Sequence, residues 1–98
     1  MPRRLALAVA LGGGLCLAAP AAAQCFADFR ARRDAPYALI YGVIELPPAA
    51  CTGREAAAAE IARRIGRAGF TLLDVRSLFG PEGLEARRDD AGDFFLNF

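Results

Sequence analysis

Cys51-Thr52-Gly53-Arg54-Glu55, an alanine-rich run to Gly69, then Phe70-Thr71-Leu72-Leu73-Asp74-Val75 and on to Phe79: this stretch decides the fold. It reads as a capped helix feeding a strand. Thr52 is a good N-cap with Glu55 three residues later, the spacing at which each side chain reaches the other's backbone N–H. Between Arg54 and Ala68 there is no proline and only Gly66 as a glycine, and the alanines at 56 to 59 lose almost no side-chain entropy in a helix. Ala58, Ile61, Ile65 and Ala68 recur at spacings of three and four and form one apolar stripe. Glu60, Arg63, Arg64 and Arg67 fall off it. Glu60 is placed to pair with Arg64 at i,i+4, and the arginines suit the negative end of the helix dipole. Gly69 fits the left-handed C′ position, with Phe70 at C″ against Ile65 at C3.

Outward from this core lie two strands. Upstream, Tyr37 to Leu46 is dense in β-formers. Ala38, Ile40, Gly42, Ile44 and Leu46 make a wholly apolar face, expected to meet the helix, with Gly42 letting the helix approach closely. Tyr37, Leu39, Tyr41, Val43 and Glu45 make the other, mixed face. Downstream, Phe70 to Phe79 places Thr71, Leu73, Val75, Ser77 and Phe79 on one side and Phe70, Leu72, Asp74, Arg76 and Leu78 on the other. The strand–helix–strand order favours parallel pairing with a right-handed crossover if the two strands are neighbours.

The first 23 residues read as a secretory signal. Arg3 and Arg4 form a positive n-region, Leu5 to Ala19 is an uncharged and mostly apolar run, and Pro20 breaks it. Ala21-Ala22-Ala23 then places small residues before Gln24, so cleavage is expected between Ala23 and Gln24. The run is too short for a membrane span, and Leu15 before Cys16 is wrong for a lipoprotein cleavage site. Residues 24–98 then form one small domain. It has no lysine and no histidine, and ten arginines face eleven carboxylates, a formal charge of −1. A nucleic-acid-binding surface usually shows a net basic domain, and this domain is not one.

A domain of this size often carries a staple. Cys25 and Cys51 are the two cysteines past residue 23. In an oxidising compartment their simplest fate is one disulfide. It closes a loop of about 27 residues and is worth roughly 3–4 kcal/mol in the chain-entropy model. No Cys-x-x-Cys unit is present, and no histidine completes a zinc site.

Three segments remain. Cys25 to Arg33 suits two helical turns, with Phe26 and Phe29 on one face and Asp28 four residues from Arg32. Residues 80–92 allow either a short helix, from Pro81 at N1 to Gly92 at C′, or a hairpin turning at Asp89 to Gly92. Asp93 to Phe98 reads as a last strand with Phe94, Leu96 and Phe98 on one face.

The usual chemistry is missing. Without histidine there is no ordinary general base, and Ser77 has no visible partner to activate it. Asp89, Asp90 and Asp93 lack the spacing of a calcium loop and read as a solvated acidic turn. Glu82, Glu85 and Asp89 leave room for a carboxylate-dependent hydrolase or lyase, which predicts a pocket beside them and a carboxyl of raised pKa.

Cys25-Phe26-Ala27-Asp28-Phe29, Tyr41-Gly42-Val43, Leu72-Leu73-Asp74-Val75, Phe79-Gly80-Pro81-Glu82-Gly83-Leu84-Glu85 and Phe95-Leu96 give the chain a resemblance to a group of small exported proteobacterial proteins of uncharacterised function. The resemblance implies export and a single compact domain, and no activity. The expectation is therefore a small α/β (α+β) domain: a sheet of about three strands, one main helix on one face, one or two short extra helices and one disulfide. Its expected role is a periplasmic or secreted, non-enzymatic module that binds a protein or peptide of the cell envelope. No cofactor, nucleic acid or lasting membrane anchor is implied. The alternatives are the hydrolase or lyase above and a structural envelope protein.

Overall fold

A computed structural model describes residues 24–98; the expected signal segment and Ala23 lie outside the described residues. The elements run β1 (Cys25–Asp34), β2 (Tyr37–Leu46), α1 (Arg54–Gly66), β3 (Thr71–Phe79) and α2 (Glu85–Ala91). Short 3-10 turns occupy Pro48–Cys51, Pro81–Gly83 and Gly92–Phe94. The sheet order is β2-β1-β3, and β1 pairs antiparallel with both neighbours. This is the expected small α+β fold, with Cys25 and Cys51 bridged at a Cα separation of 6.1 Å. No helix among the described residues is long and apolar enough to cross a membrane.

The largest departure from the sequence expectation is Cys25–Asp34, which is the central strand and not a helix. Its residues alternate. Ala27, Phe29 and Ala31 join the core, while Asp28, Arg30 and Arg32 take the other face. A two-turn helix would bury little more than Phe26 and Phe29; a central strand buries both faces and gains two ladders of backbone bonds. Insertion of β1 also corrects the pairing. β2 and β3 run in the same direction but are not neighbours.

The front face of the sheet is hydrocarbon. Ala57, Ile61 and Ile65 of α1 are buried against Ala27, Phe29, Ala31, Ile44, Leu46 and Val75. The stripe is therefore Ala57, Ile61 and Ile65, with Ala58 at its margin and Ala68 exposed. Each fully buried isoleucine is worth roughly 1.5–3 kcal/mol. Gly42 does face this core, but it makes room for a ring, not for the helix. A Cβ there would stand 2.6 Å from Cζ of Phe29, its cross-strand partner.

The helix ends as its sequence dictates and begins differently. Gly69 has φ +88°, its N–H donates to the Gly66 carbonyl at 3.0 Å, and the Phe70 N–H donates to the Ile65 carbonyl at 3.1 Å. That is the Schellman pattern. At the start, Thr52 continues the 3-10 turn in a helical conformation, so its hydroxyl points back to the Ala49 carbonyl at 3.4 Å. The N-cap passes to Gly53, whose carbonyl accepts from Ala57 N–H at 3.0 Å with no side-chain cap. The chain leading into the helix is held by the disulfide, and this geometry displaces the capping box. The Glu60–Arg64 pair forms at 3.4 Å.

Two bulges break β3's alternation. The register slips between Asp28 and Phe29 and again between Arg30 and Ala31, so Leu73 and Arg76 have no partner in β1. Leu72, Val75 and Leu78 consequently pair opposite Ala31, Phe29 and Ala27 on the front, and Thr71, Asp74, Ser77 and Phe79 fall on the back. A strict two-residue period could not yield this assignment. Residues 80–92 resolve as a turn and a short helix closed by Gly92 at φ +53°. The expected last strand shrinks to a single parallel bridge, Val43 with Phe95, because Phe94 and Phe98 turn into the core to pack edge-on against Phe70.

Candidate functional site

The back of the sheet carries a different kind of interior. Phe26 is buried there and stacks on Phe79 at 6.1 Å, and α2 packs on this side against β2. Beneath that cover sits Asp28, 6% exposed. Its Oδ1 accepts the Ser77 hydroxyl at 2.7 Å; its Oδ2 accepts the Tyr41 hydroxyl at 2.8 Å and Arg87 Nε at 3.1 Å. Arg87 also donates Nη1 to the Gly83 carbonyl at 2.8 Å and lies 3.9 Å over the Phe79 ring. One carboxylate thus collects donors from β2, β3 and α2.

Burial pushes the Asp28 carboxyl up, but hydrogen bonds from Ser77, Tyr41 and Arg87, together with the Arg87 charge, outweigh burial and hold it below its usual range. The Tyr41 phenol is pushed up to about 12, first by burial and then by its bond to the Asp28 carboxylate. An ionised, fully bonded carboxylate is a weak base, and the proton on Ser77 Oγ points at a group with little tendency to take it. The cluster fastens α2 to the sheet; it does not prepare a nucleophile.

Beside it is a shallow depression of about 440 Å³ lined by Asp28, Tyr41, Arg76 and Asp90. A second depression, about 390 Å³, lies between residues 47–50 and α1 and is lined mostly by alanines. Glu82, Glu85, Asp89 and Asp93 are exposed and line neither depression, and Glu85 pairs with Arg88 on its own helix. The carboxyls with displaced pKa values are Asp28, Glu60 and Asp74. Glu60 and Asp74 are lowered chiefly by hydrogen bonds from Arg63 and Arg30. Among the described residues, no three His, Cys, Asp or Glu side chains gather in a metal-binding group.

The sheet's two outer edges differ. On β3 the bulges interrupt the ladder, and Arg54 Nη1 donates to the Val75 carbonyl. On β2 the outward carbonyls can be identified: Val43 O accepts Leu96 N–H at 2.8 Å, and Glu45 O accepts Arg64 Nη1 at 2.9 Å. In a strand, successive residues direct their N–H and C=O groups to opposite edges. Tyr37, Leu39 and Tyr41 therefore direct theirs outward as well, and among the described residues no hydrogen bond covers them. Their side chains fall on the back face, where Tyr37 is 66% and Leu39 63% exposed. This bare, uncharged edge is the candidate site.

Sequence reasoning placed Tyr37 and Tyr41 on the mixed face of β2, as a pair forming either a binding surface or cover for the back of a small sheet, and missed Asp28 and Arg87. The alternation of Ala27, Phe29 and Ala31 with Asp28, Arg30 and Arg32 was the signal that could have placed Asp28 in a sheet. Nothing local marks Arg87 as its partner. Comparison with family models, curated proteins and solved structures finds no match for the chain.

Proposed function

We propose that the chain is an exported, non-enzymatic module that binds a protein or peptide by adding its extended segment to the β2 edge. The observation that carries this reading is the set of outward backbone groups of Tyr37, Leu39 and Tyr41, which continues a row already begun by the chain's own Leu96 on Val43. An open edge is a template for strand addition: the backbone supplies affinity, and alternate side chains supply selectivity. The same odd-numbered residues supply both here. The signal pattern before Gln24, the bridged cysteines and the resemblance to small exported proteins support a periplasmic or secreted location. The spent hydrogen-bonding capacity of Asp28 weighs against the hydrolase or lyase alternative.

Amide NMR of the oxidised protein, titrated with a panel of short extended peptides of alternating β-branched residues, tests the reading. Shift changes should centre on Tyr37–Tyr41 and vanish in Leu39→Pro. That substitution removes an outward N–H without touching a bond to β1. If no peptide perturbs these amides, or if Leu39→Pro binds as the parent does, edge addition is wrong.

A further inference from the structure

We infer that a second copy of this chain is an occupant of the β2 edge, paired antiparallel about Leu39. This inference rests on the strand-addition reading above and names a partner for it.

The free edge has definite ends. At one end the turn at Ala35–Pro36 carries the chain back to β1; at the other the Leu96 bond occupies Val43 and Arg64 occupies Glu45. Among the described residues only the window 37–41 remains uncovered. A two-fold axis normal to the sheet at Leu39 sets Leu39 opposite its own copy and Tyr37 opposite Tyr41. Each outward residue then faces another outward residue, and such pairs exchange both backbone bonds. No outward group in the window is left over, and neither copy's window extends into the other's occupied Val43. A closed two-fold contact of this kind uses one patch twice.

The side chains agree with that register. The same axis keeps both back faces on one side, so Leu39 meets Leu39 and each Tyr37 lies beside a Tyr41. The exposed apolar surface of Tyr37 and Leu39 would be covered in the act of pairing. The window contains no charged residue, so no like charges oppose across the axis. Of the charges flanking the window on this face, Arg32 is paired with Asp34 and Arg30 with Asp74 within each copy; Asp90, beside Tyr41, stands outside those pairs. The β3 edge is kinked by two bulges and has Val75 O taken by Arg54, so it is a poorer template than β2 and pairing should stop at two copies. A five-residue window buries less than the roughly 1,200 Å² of a standard interface, so association should be concentration-dependent.

Sedimentation velocity of the oxidised protein from micromolar to millimolar concentration tests this, read together with amide NMR over the same range. The weight-average mass should climb toward twice the monomer as concentration rises, with shift changes confined to residues 37–41. Leu39→Pro should remain monomeric with an unchanged circular dichroism spectrum. A second variant, Leu39→Cys, should form an intermolecular disulfide, since closely paired antiparallel residues lie at a Cα separation of about 5.5 Å, within bridging range. A monomer throughout, or a dimer that survives Leu39→Pro, overturns the inference. If that monomer still takes an extended peptide at Tyr37–Tyr41, self-pairing alone fails; if it takes none, strand addition fails with it.

Discussion

The two faces of this sheet are held by opposite means. On the front, Ala27, Phe29 and Ala31 lie against the isoleucines of α1, and the ring cluster of Phe29, Phe70, Phe94 and Phe98 closes one end. On the back, α2 offers almost nothing apolar beyond buried Ala91, and its arginine reaches an ionised aspartate instead. Most of the buried hydrocarbon lies in the front layer, with Phe26 and Val43 the main exceptions. The second cover is fastened at a point, and among the described residues that leaves Tyr37 and Leu39 of the back face uncovered.

That contrast can be broken from either side. The largest effect should come from the front. Phe29→Ala empties the space that Gly42 and the neighbouring rings are shaped around, and should cost about 3–5 kcal/mol in a denaturant melt. The loss should be nearly the same at pH 5 and pH 8, because no titrating group faces that ring. A loss that changed steeply with pH would mean the two faces are not separable.

A smaller effect, of different character, should come from the back. Asp28→Ala leaves Arg87, Ser77 and Tyr41 without their shared acceptor and should cost about 1–3 kcal/mol. The aspartate's pKa is lower folded than unfolded, so its contribution is fully present above the unfolded value of about 3.8. It is lost as pH falls through the lower folded value. The acid limb of the stability profile should therefore flatten in Asp28→Asn. Glu60 and Asp74, also held low, should preserve part of it. An acid limb identical to the parent's would show that the buried carboxylate contributes nothing.

The smallest effect is spectroscopic. In Tyr37→Phe the remaining phenol is Tyr41, and its ultraviolet titration should have a midpoint near 12. Because the folded value is raised, stability from this group is complete below the unfolded pKa of 10 and fades as pH climbs toward 12. Adding Asp28→Asn should bring the midpoint down part of the way, since burial, the larger cause, persists. A midpoint near 10 would mean that Tyr41 is neither buried nor bonded to Asp28 in solution.

These faces were unequally legible. The helix, its glycine C-cap and the β2 strand follow from local rules, which suffice there because neighbours in sequence are neighbours in space; the Cys25–Cys51 bridge, 26 residues apart, follows from there being just two cysteines past residue 23. β1 did not follow, because Phe26/Phe29 and Asp28/Arg32 happen to satisfy helical spacing while the same residues satisfy strand alternation. What decides between them is the pair of ladders β1 gains from strands on either side, a gain no window around Asp28 contains. β3 hid its inner face for a related reason. Leu72, Val75 and Leu78 recur every third residue only because two bulges slip the register. The edge of β2 was partly visible as a tyrosine pair, but its openness depends on where Leu96 and Arg64 land, far along the chain.

The central position of β1 bears on the proposed removal of the first 23 residues. Cys25 follows directly on Gln24, so with cleavage where we propose it, the newly made end opens straight into the middle of the sheet. Trimming that runs further would not shorten slack at a border; it would pull rungs from the strand on which both others lean. On the proposed export reading, accurate cleavage would be a folding requirement, and a misplaced cut should surface as lost yield before it surfaces as lost binding.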